Sequence, residues 1–371
     1  MLSTISTRQA RLARSTILSL SILAVAVLAV FASIAHAESI VTLIPVNNKP
    51  LGVAVNPLTN RIYVAASLNF EGNVAVIDGA TNSIIDRIPT GTGTSAFKIA
   101  VNPATNMVYV TNTLGSSVVV MDGRSDTVAT SIAVCGAGSP NNVAVNWWTN
   151  RVYVACSGPA ALAIIDGQTN AVVTTVPLSA YIGSARPVAV NIGTNRIYVG
   201  DGSGRNVVVL DGKTSGVIAN IVAGSDFHLG IDVNPFTNMV YVSNDVAYGA
   251  PGWPYGSVSV INGSSNVAVA TIPVGPSPYG VGVDSRTNRV YVANSAGTSN
   301  SSSISVIDGK TNIVTVTVPA PAWAIDVTAN PWTRMVYVAE YYTCKSSSCS
   351  ADPNQNSVLV ISETPPDQGS N

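Results

Sequence analysis

The chain has 371 residues, of which 47% are hydrophobic and only 10% are charged, with 18 basic and 19 acidic residues. This hydrophobic content is enough for a large core and argues against disorder. The low charge, without any basic stripe, argues against a nucleic-acid partner, because phosphate backbones are bound by clustered Lys and Arg.

The first 37 residues are predicted to be a signal peptide. Three arginines precede an acid-free apolar run from Ile17 to Ile34, and the small-x-small site Ala35-His36-Ala37 follows it. This order is typical of export and predicts cleavage before Glu38. The run is also long enough to span a membrane, so an uncleaved anchor is the alternative. We expect a protein of the periplasm, the cell surface or the extracellular space, with no membrane contact after cleavage.

A six-residue phrase recurs seven times in the rest of the chain. Its first copy is Thr59-Asn60-Arg61-Ile62-Tyr63-Val64, and successive tyrosines lie 43 to 50 residues apart. The seven tyrosines are Tyr63, Tyr109, Tyr153, Tyr198, Tyr241, Tyr291 and Tyr337. A period near 45 with four short apolar runs per period is typical of a four-stranded propeller blade.

The first complete repeat predicts four strands, at 52–55, 61–65, 74–78 and 83–89. An Asn-Pro turn separates the first two strands, and an Asp-Gly turn separates the last two. These turns recur in other repeats. A repeated ligand site would be the functional interpretation, but hairpin chemistry explains them better, because Pro fixes φ and Asn tolerates left-handed backbone.

The last repeat contains only three strands, and the missing one is predicted at the other end of the chain. Ile40–Val46 resembles the fourth strands of other repeats and should pair with Val358–Ser362. The predicted fold is all-β, a seven-bladed β-propeller of four-stranded antiparallel blades over residues 38–362, closed by the N-terminal strand. Residues 363–371 are predicted to be a flexible tail.

The repeated motif resembles the YVTN family of β-propellers. Tyr109-Val110-Thr111-Asn112 and Tyr291-Val292-Ala293-Asn294 carry the resemblance, which covers nearly the whole chain after the leader. The last repeat departs from the motif, because Arg334 replaces the turn Asn and Glu340 follows Tyr-Val-Ala. That family is found in exported and surface-layer proteins and has no agreed activity, so the resemblance implies a fold and a location.

The four cysteines fit an oxidising compartment. Cys135 precedes a first strand and Cys156 follows its antiparallel neighbour, so the predicted topology places them side by side in the third blade. Cys344 and Cys349 lie in a Ser-rich insertion, where a small disulfide loop is predicted. The alternative is four idle thiols. A Cys-His zinc site is not predicted, because His228 is the one histidine after the leader.

The loops that join second to third strands, and each blade to the next, differ between repeats. We call the face that they form the variable face, and variable loops on a rigid scaffold are where binding usually resides. Aromatic, amide and charged residues there suit a glycan, a peptide or a protein, and the alternative is that the aromatics cap the blades. The candidate binding residues are Asn112, Asp201, Arg205, His228, Asp245, Trp253, Tyr255, Tyr279, Asn294, Trp323 and Glu340. Phe97, Lys98 and Arg186 also lie in these loops.

Asp232 and Asp326 are predicted in the middle of innermost strands, where other blades carry small residues such as Ala54. An unpaired buried carboxylate is costly, so each should face a wet channel or meet a partner. One hypothesis is a divalent cation on the axis, shared with Asp201 or Asp245. The other, which we prefer, is that both carboxylates only contact channel water.

No catalytic motif accompanies the repeats, and no catalytic residue is predicted. The chain lacks a Gly-x-Ser-x-Gly elbow, a His-Glu-x-x-His helix and a Walker A loop. We therefore predict an exported, non-catalytic binding or adhesion scaffold without a required cofactor. The alternatives are a metal-dependent lactonase, hydrolase or lyase at the channel mouth, and a passive component of a cell-surface layer.

Overall fold

The computed structural model describes residues 38–46, 48–224, 227–245, 255–295, 302–341 and 356–363. They form seven four-stranded antiparallel sheets. Strand β1 (Ser39–Pro45) opens the chain but belongs to the last blade. The first three complete blades contain β2 (Lys49–Asn56), β3 (Arg61–Leu68), β4 (Glu71–Asp78), β5 (Ser83–Thr92), β6 (Ala96–Asn102), β7 (Met107–Asn112), β8 (Ser117–Asp122), β9 (Thr127–Ala133), β10 (Ser139–Asn146), β11 (Arg151–Ser157), β12 (Ala161–Asp166) and β13 (Ala171–Pro177).

The next three blades repeat this order. They contain β14 (Ala185–Asn191), β15 (Arg196–Asp201), β16 (Asn206–Asp211), β17 (Val217–Val222), β18 (Phe227–Asn234), β19 (Met239–Asp245), β20 (Tyr255–Asn262), β21 (Val267–Pro276), β22 (Pro278–Asp284), β23 (Arg289–Asn294), β24 (Ser303–Asp308) and β25 (Ile313–Pro319). The seventh blade contains β26 (Trp323–Asn330), β27 (Met335–Tyr341), β28 (Asn356–Ser362) and β1. The first strands of successive blades contact one another around the ring, and β26 contacts β2.

Ring closure by the N-terminal strand is confirmed. β1 pairs antiparallel with β28, and Ile44 lies opposite Val358. The Val46 N–H continues the pairing with a 2.8 Å hydrogen bond to the Asn356 carbonyl. Ile44 and Val46 are buried in a core shared by the last and first blades. The two ends of the described propeller therefore stabilise one sheet.

The repeated tyrosines fill the space between blades, and all seven are fully buried. Tyr63 reaches the Asp-Gly turn of the next blade, where a Cβ added to Gly123 would lie 2.5 Å from its hydroxyl. The same crowding recurs between Tyr198 and Gly263, at 2.6 Å. The glycine of these turns therefore does more than bend the chain. It leaves room for the tyrosine of the preceding blade.

The asparagines of the first turns connect the blades. In six of the seven interfaces, the Asn that ends a first strand donates its amide N–H to the turn Asn of the next blade, at 2.6 to 2.8 Å. The acceptors are left-handed, with φ of 53° to 59°. Asp284 and Arg334 occupy the corresponding positions between the sixth and seventh blades. Hairpin chemistry was thus only part of the reason for the repeated Asn.

The predicted disulfide between Cys135 and Cys156 is present, with their Cα atoms 5.4 Å apart. Cys344 and Cys349 lie outside the described residues, so the second disulfide stays a prediction. The leader and residues 364–371 also lie outside them. Within the described ranges, no helix has the length and apolar character needed to cross a bilayer.

Candidate functional site

The channel along the axis is lined by the first strand of every blade and encloses about 260 Å³. In each blade, one channel residue lies opposite the repeated tyrosine and nine positions before it in sequence. These residues are Ala54, Ala100, Ala144, Ala189, Asp232, Gly282 and Thr328. Five of the seven are Ala or Gly, so the side chains at this level of the channel are mostly small and apolar.

Asp326 does not occupy this level, contrary to its predicted equivalence with Asp232. It lies two residues earlier in β26, opposite Ala339, and Thr328 holds the position opposite Tyr337. Asp326 is therefore one step nearer the variable face, level with Lys98 of the second blade. The sequence already distinguishes the two aspartates, because Asp232 lies nine residues before its tyrosine, Tyr241, whereas Asp326 lies eleven residues before Tyr337.

Lys98 and Asp326 form an ion pair across the mouth of the channel. The Lys98 Nζ lies 2.8 Å from Asp326 Oδ1, and their side chains are 6% and 16% exposed. Asp326 Oδ2 also accepts the Val53 N–H at 3.0 Å. The intervening first blade carries Gly52, where an added Cβ would lie 2.9 Å from the Lys98 Cα. The ion pair thus links the seventh blade to the second blade. It can pass the first blade because Gly52 has no side chain there.

Asp232 lies deeper in the channel and is held by backbone donors. Its Oδ1 accepts the Val233 N–H and its Oδ2 accepts the Val283 N–H, both at 2.8 Å. Burial raises its pKa, the two hydrogen bonds oppose the rise and the nearby charge of Asp326 adds to it, so that the pKa is about 6. Part of the carboxylate still faces the channel. Asp232 can therefore change its protonation state near neutral pH.

The mouth combines aromatic, amide and cationic groups from several blades. A depression of about 160 Å³ is lined by Phe97, Asn141, Asn142, Arg186 and Tyr279, together with Lys98 and Leu229. A second depression, of about 270 Å³, shares Arg186 and Tyr279 and adds Phe227 and Asp245. The Lys98 Nζ lies 5.9 Å from the ring centres of both Phe97 and Tyr279. We call this set of residues the mouth site.

Tyr279 and Arg186 line both depressions of the mouth site. Tyr279 is half-buried, and desolvation raises the pKa of its phenol while the Arg186 charge opposes this rise. The Tyr279 carbonyl is fixed by the Ser243 hydroxyl at 2.8 Å. Arg186 is exposed and reaches over Gly202, where an added Cβ would collide with its side chain. Asn142 and Leu229, which line the same depression, were not singled out from the sequence.

Three predicted binding residues have side chains that are buried in their own blades. Asn112 Oδ1 accepts the Ser95 N–H at 2.9 Å. Asp201 accepts the Ser184 N–H at 3.1 Å and the Ser203 hydroxyl at 2.9 Å. The Asn294 amide donates to two serines of β24, at 3.0 and 3.2 Å. Their observed contacts fix the loops of the variable face.

His228 and Glu340 are also fully buried. The His228 Nε2 lies 2.6 Å from the Ala223 carbonyl, so this nitrogen carries the proton. Burial lowers the pKa of His228 and keeps the ring neutral. Glu340 stands opposite Ala324 and Ser357, and burial raises the pKa of its carboxyl well above the ordinary value. Neither residue belongs to the lining of the channel.

The remaining candidates are divided between the mouth, the rim and the part that is not described. Asp245 lines the mouth site, whereas Arg205 is exposed. Trp323 packs edge-on against Tyr341 with ring centres 5.6 Å apart. Trp253 and the side chain of Tyr255 lie outside the described residues. Within the described ranges, no three His, Cys, Asp or Glu side chains are close enough to share a metal ion.

Comparison with solved structures supports the fold. A structure titled Kuenenia stuttgartiensis Hydrazine Synthase matches with a TM-score of 0.65 at 18% identity, over 79% of this chain and 93% of that chain. No family model and no curated protein matches the sequence. At this identity the likeness shows a shared seven-bladed β-propeller architecture and carries no activity.

Proposed function

We propose that this protein is an exported, non-catalytic binding scaffold of the YVTN type, which recognises a glycan, a peptide or a protein at its variable face. The mouth site is the observation that carries the proposal. There, two aromatic rings, two amides and an exposed guanidinium from four blades line one concave surface, which is the composition expected of a polar-ligand site. The leader and the Cys135–Cys156 disulfide support export.

The ion pair between Lys98 and Asp326 gives this site a rigid base. Because both charges are compensated internally, a ligand gains its contacts chiefly from Tyr279, Arg186 and Asn142. Stacking on Tyr279 suits the apolar face of a sugar or a peptide side chain, and Arg186 suits a carboxylate or a hydroxyl. The proposed ligand is therefore polar and has at least one flat surface.

Ligand-dependent melting in a glycan and peptide panel tests this proposal. We expect a hit to raise the melting temperature of the wild type, and Tyr279→Ala should abolish the rise. Tyr181→Ala is the matched control, since Tyr181 is 38% exposed and lies outside the mouth site. Retained binding by the Tyr279 variant, or equal loss in both variants, would rule out the mouth as the site.

A second candidate, a lactonase, hydrolase or lyase, is favoured by Asp232, whose pKa of about 6 suits a general base. A divalent cation would have to be held by Asp232 and Asp326. The fit is poor, because each carboxylate already accepts backbone N–H groups and Asp326 is paired with Lys98. Metal analysis and a lactone and ester screen distinguish the candidates: turnover that Asp232→Asn abolishes would favour the enzyme.

A further inference from the structure

The face opposite the variable face carries four large, exposed apolar side chains. Each stands at the third position of the five-residue turn between first and second strands. Leu58, Trp148, Phe236 and Trp332, which we call the apolar ring, are 64% to 79% exposed. The other three turns carry Ala104, Gly193 and Arg286 at this position. Exposed apolar residues scattered singly need no explanation, but four at one repeated position on one face do.

The hydrogen bonds between blades connect these turns across six of the seven interfaces around the axis. Each of these hydrogen bonds joins the first residue of one turn to the last residue of the turn in the next blade, as from Asn56 to Asn106. Neighbouring turns are also close enough for direct side-chain contact. The Arg286 guanidinium lies 5.5 Å from the Trp332 ring centre, across the interface between the sixth and seventh blades.

The turns hold the apolar side chains on a fixed backbone. The N–H of each apolar residue donates to the side chain of the Asn two residues earlier, at 3.0 to 3.1 Å. The same Asn is bonded to the next blade through its amide nitrogen. The four side chains therefore project from hairpins that are each hydrogen-bonded to the next blade.

The chain enters the propeller on this same face. β1 runs from Ser39, opposite Ser362, toward the variable face. Glu38 forms an ion pair with Arg289, the first residue of a second strand, where the first turn ends. The Glu363 N–H donates to the carbonyl of Arg334, which belongs to the seventh first turn, at 3.0 Å. The 37 residues with the apolar run at 17–34 precede this point in the sequence, so until the predicted cleavage before Glu38 the chain is tethered through the face that carries the apolar ring.

We propose that this face rests on a lipid bilayer, with the four side chains of the apolar ring inserted at the level of the headgroups. Trp and Phe favour the membrane interface, and Arg286 beside Trp332 is placed to meet lipid phosphates. This goes beyond ligand binding at the mouth site. It also departs from the prediction of no membrane contact after cleavage, which considered the leader alone.

A bilayer fits the ring better than a second copy of the chain does. A blade with Ala104, Gly193 or Arg286 at this position separates Leu58 from Trp148, Trp148 from Phe236 and Phe236 from Trp332, so only Trp332 and Leu58 occupy neighbouring blades. The four side chains are therefore mostly separate projections. Projections can enter between lipids individually, whereas a stable protein interface requires a complementary, closely packed surface. Before cleavage, the apolar run is attached to the same face, which has no bearing on self-association but brings the ring to the membrane.

Quenching of Trp fluorescence by brominated lipids tests the proposal on the full-length protein, in whatever N-terminal form export leaves. Vesicles of phosphatidylethanolamine and phosphatidylglycerol with brominated chains should quench the emission strongly. Replacing Trp147, Trp148 and Trp332 together by Phe keeps this face apolar but removes its Trp reporters, including the 37% exposed Trp147, and should lower the quenching at least about threefold. Trp323→Phe, on the variable face, should leave it unchanged.

Vesicle flotation of the form cleaved before Glu38 provides a second measurement, because an uncleaved apolar run would hold every variant on the vesicles. Replacing all four ring residues by Ser should lower the bound fraction at least about tenfold, since each residue contributes apolar burial at the interface. The matched control replaces Leu68, Phe70 and Leu114, exposed residues beside second-to-third-strand hairpins on the variable face, by Ser. Melting temperatures of all variants establish that they are folded.

Three results would overturn the proposal. The first is the absence of quenching by brominated lipids. The second is a loss of binding in the variable-face control as large as that in the ring variant, which would reverse the orientation. The third is a concentration-dependent dimer that the ring substitutions dissociate while vesicles have no effect, which would assign the ring to a second copy of the chain.

Discussion

The ion pair between Lys98 and Asp326 predicts a large and strongly coupled effect on stability. Both side chains are nearly buried, and they join blades that are not neighbours. Removing one partner of a buried pair costs about 3–5 kcal/mol, because the remaining charge is left without compensation. Since the channel gives water access beside the pair, we expect the lower end, about 3 kcal/mol, for either Lys98→Met or Asp326→Asn.

The double variant should lose much less than the sum of the single effects. Its neutral side chains leave no buried charge, and the amide oxygen introduced by Asp326→Asn can still accept the Val53 N–H. Urea unfolding at neutral pH measures all three variants, and the coupling between the sites should reach about 2 kcal/mol. Lys49→Met is the control, because Lys49 lies over the Tyr341 ring at 5.8 Å and is less buried. Single effects that add to within about 0.5 kcal/mol would refute the reasoning.

Three further predictions concern the closing strand β1 and the interface between the sixth and seventh blades. Burial raises the pKa of the Glu363 carboxyl from its ordinary value of 4.5 to about 7. Between these two values the folded state binds more protons than the unfolded state does. The free energy of unfolding therefore falls as the pH rises through this window. Glu363→Gln should flatten the drop in melting temperature between pH 4.5 and about pH 7, and an unchanged drop would contradict this assignment. Deleting Ser39–Pro45 removes the buried Ile44 and an entire edge strand, so the melting temperature should fall sharply; an unchanged melt would contradict the closure. Arg334 has φ of 57°, and Arg334→Asn should stabilise the fold by about 1 kcal/mol in urea unfolding, since Asn adopts left-handed backbone more readily; a destabilised variant would show that the Arg334 side chain is needed.

The repeats allowed the fold to be predicted from the sequence because each blade solves the same packing problem. Seven tyrosines at a regular interval located every second strand, and the missing fourth strand located the closure. Cys135 and Cys156 could be paired because antiparallel neighbours place strand ends together. These inferences needed only contacts within one blade, or between the two ends of one sheet.

Contacts between blades could not be predicted in the same way. Asn56 and Asn106 lie 50 residues apart, and nothing in one turn identifies its partner in the next. The crowding of Gly123 by the Tyr63 hydroxyl depends on the same interface. For the site, the sequence pointed to Tyr279 and Asp326, but it also selected Asn112 and Asn294, whose polar groups bond inside their blades.

The structure therefore assigns different tasks to residues that the sequence presented together. Polar side chains at the ends of second strands fix the loops, while the polar groups available to a ligand come from first strands and the residues before them, around the axis. If the apolar ring rests on a bilayer, the mouth site must point away from it, since the two lie at opposite ends of the channel. The two proposals then support one arrangement, in which the scaffold presents Tyr279 and Arg186 to polymers outside the membrane. A ligand that binds the mouth site should consequently do so equally well with and without vesicles, and competition between ligand and vesicles would show that the two faces have been assigned wrongly.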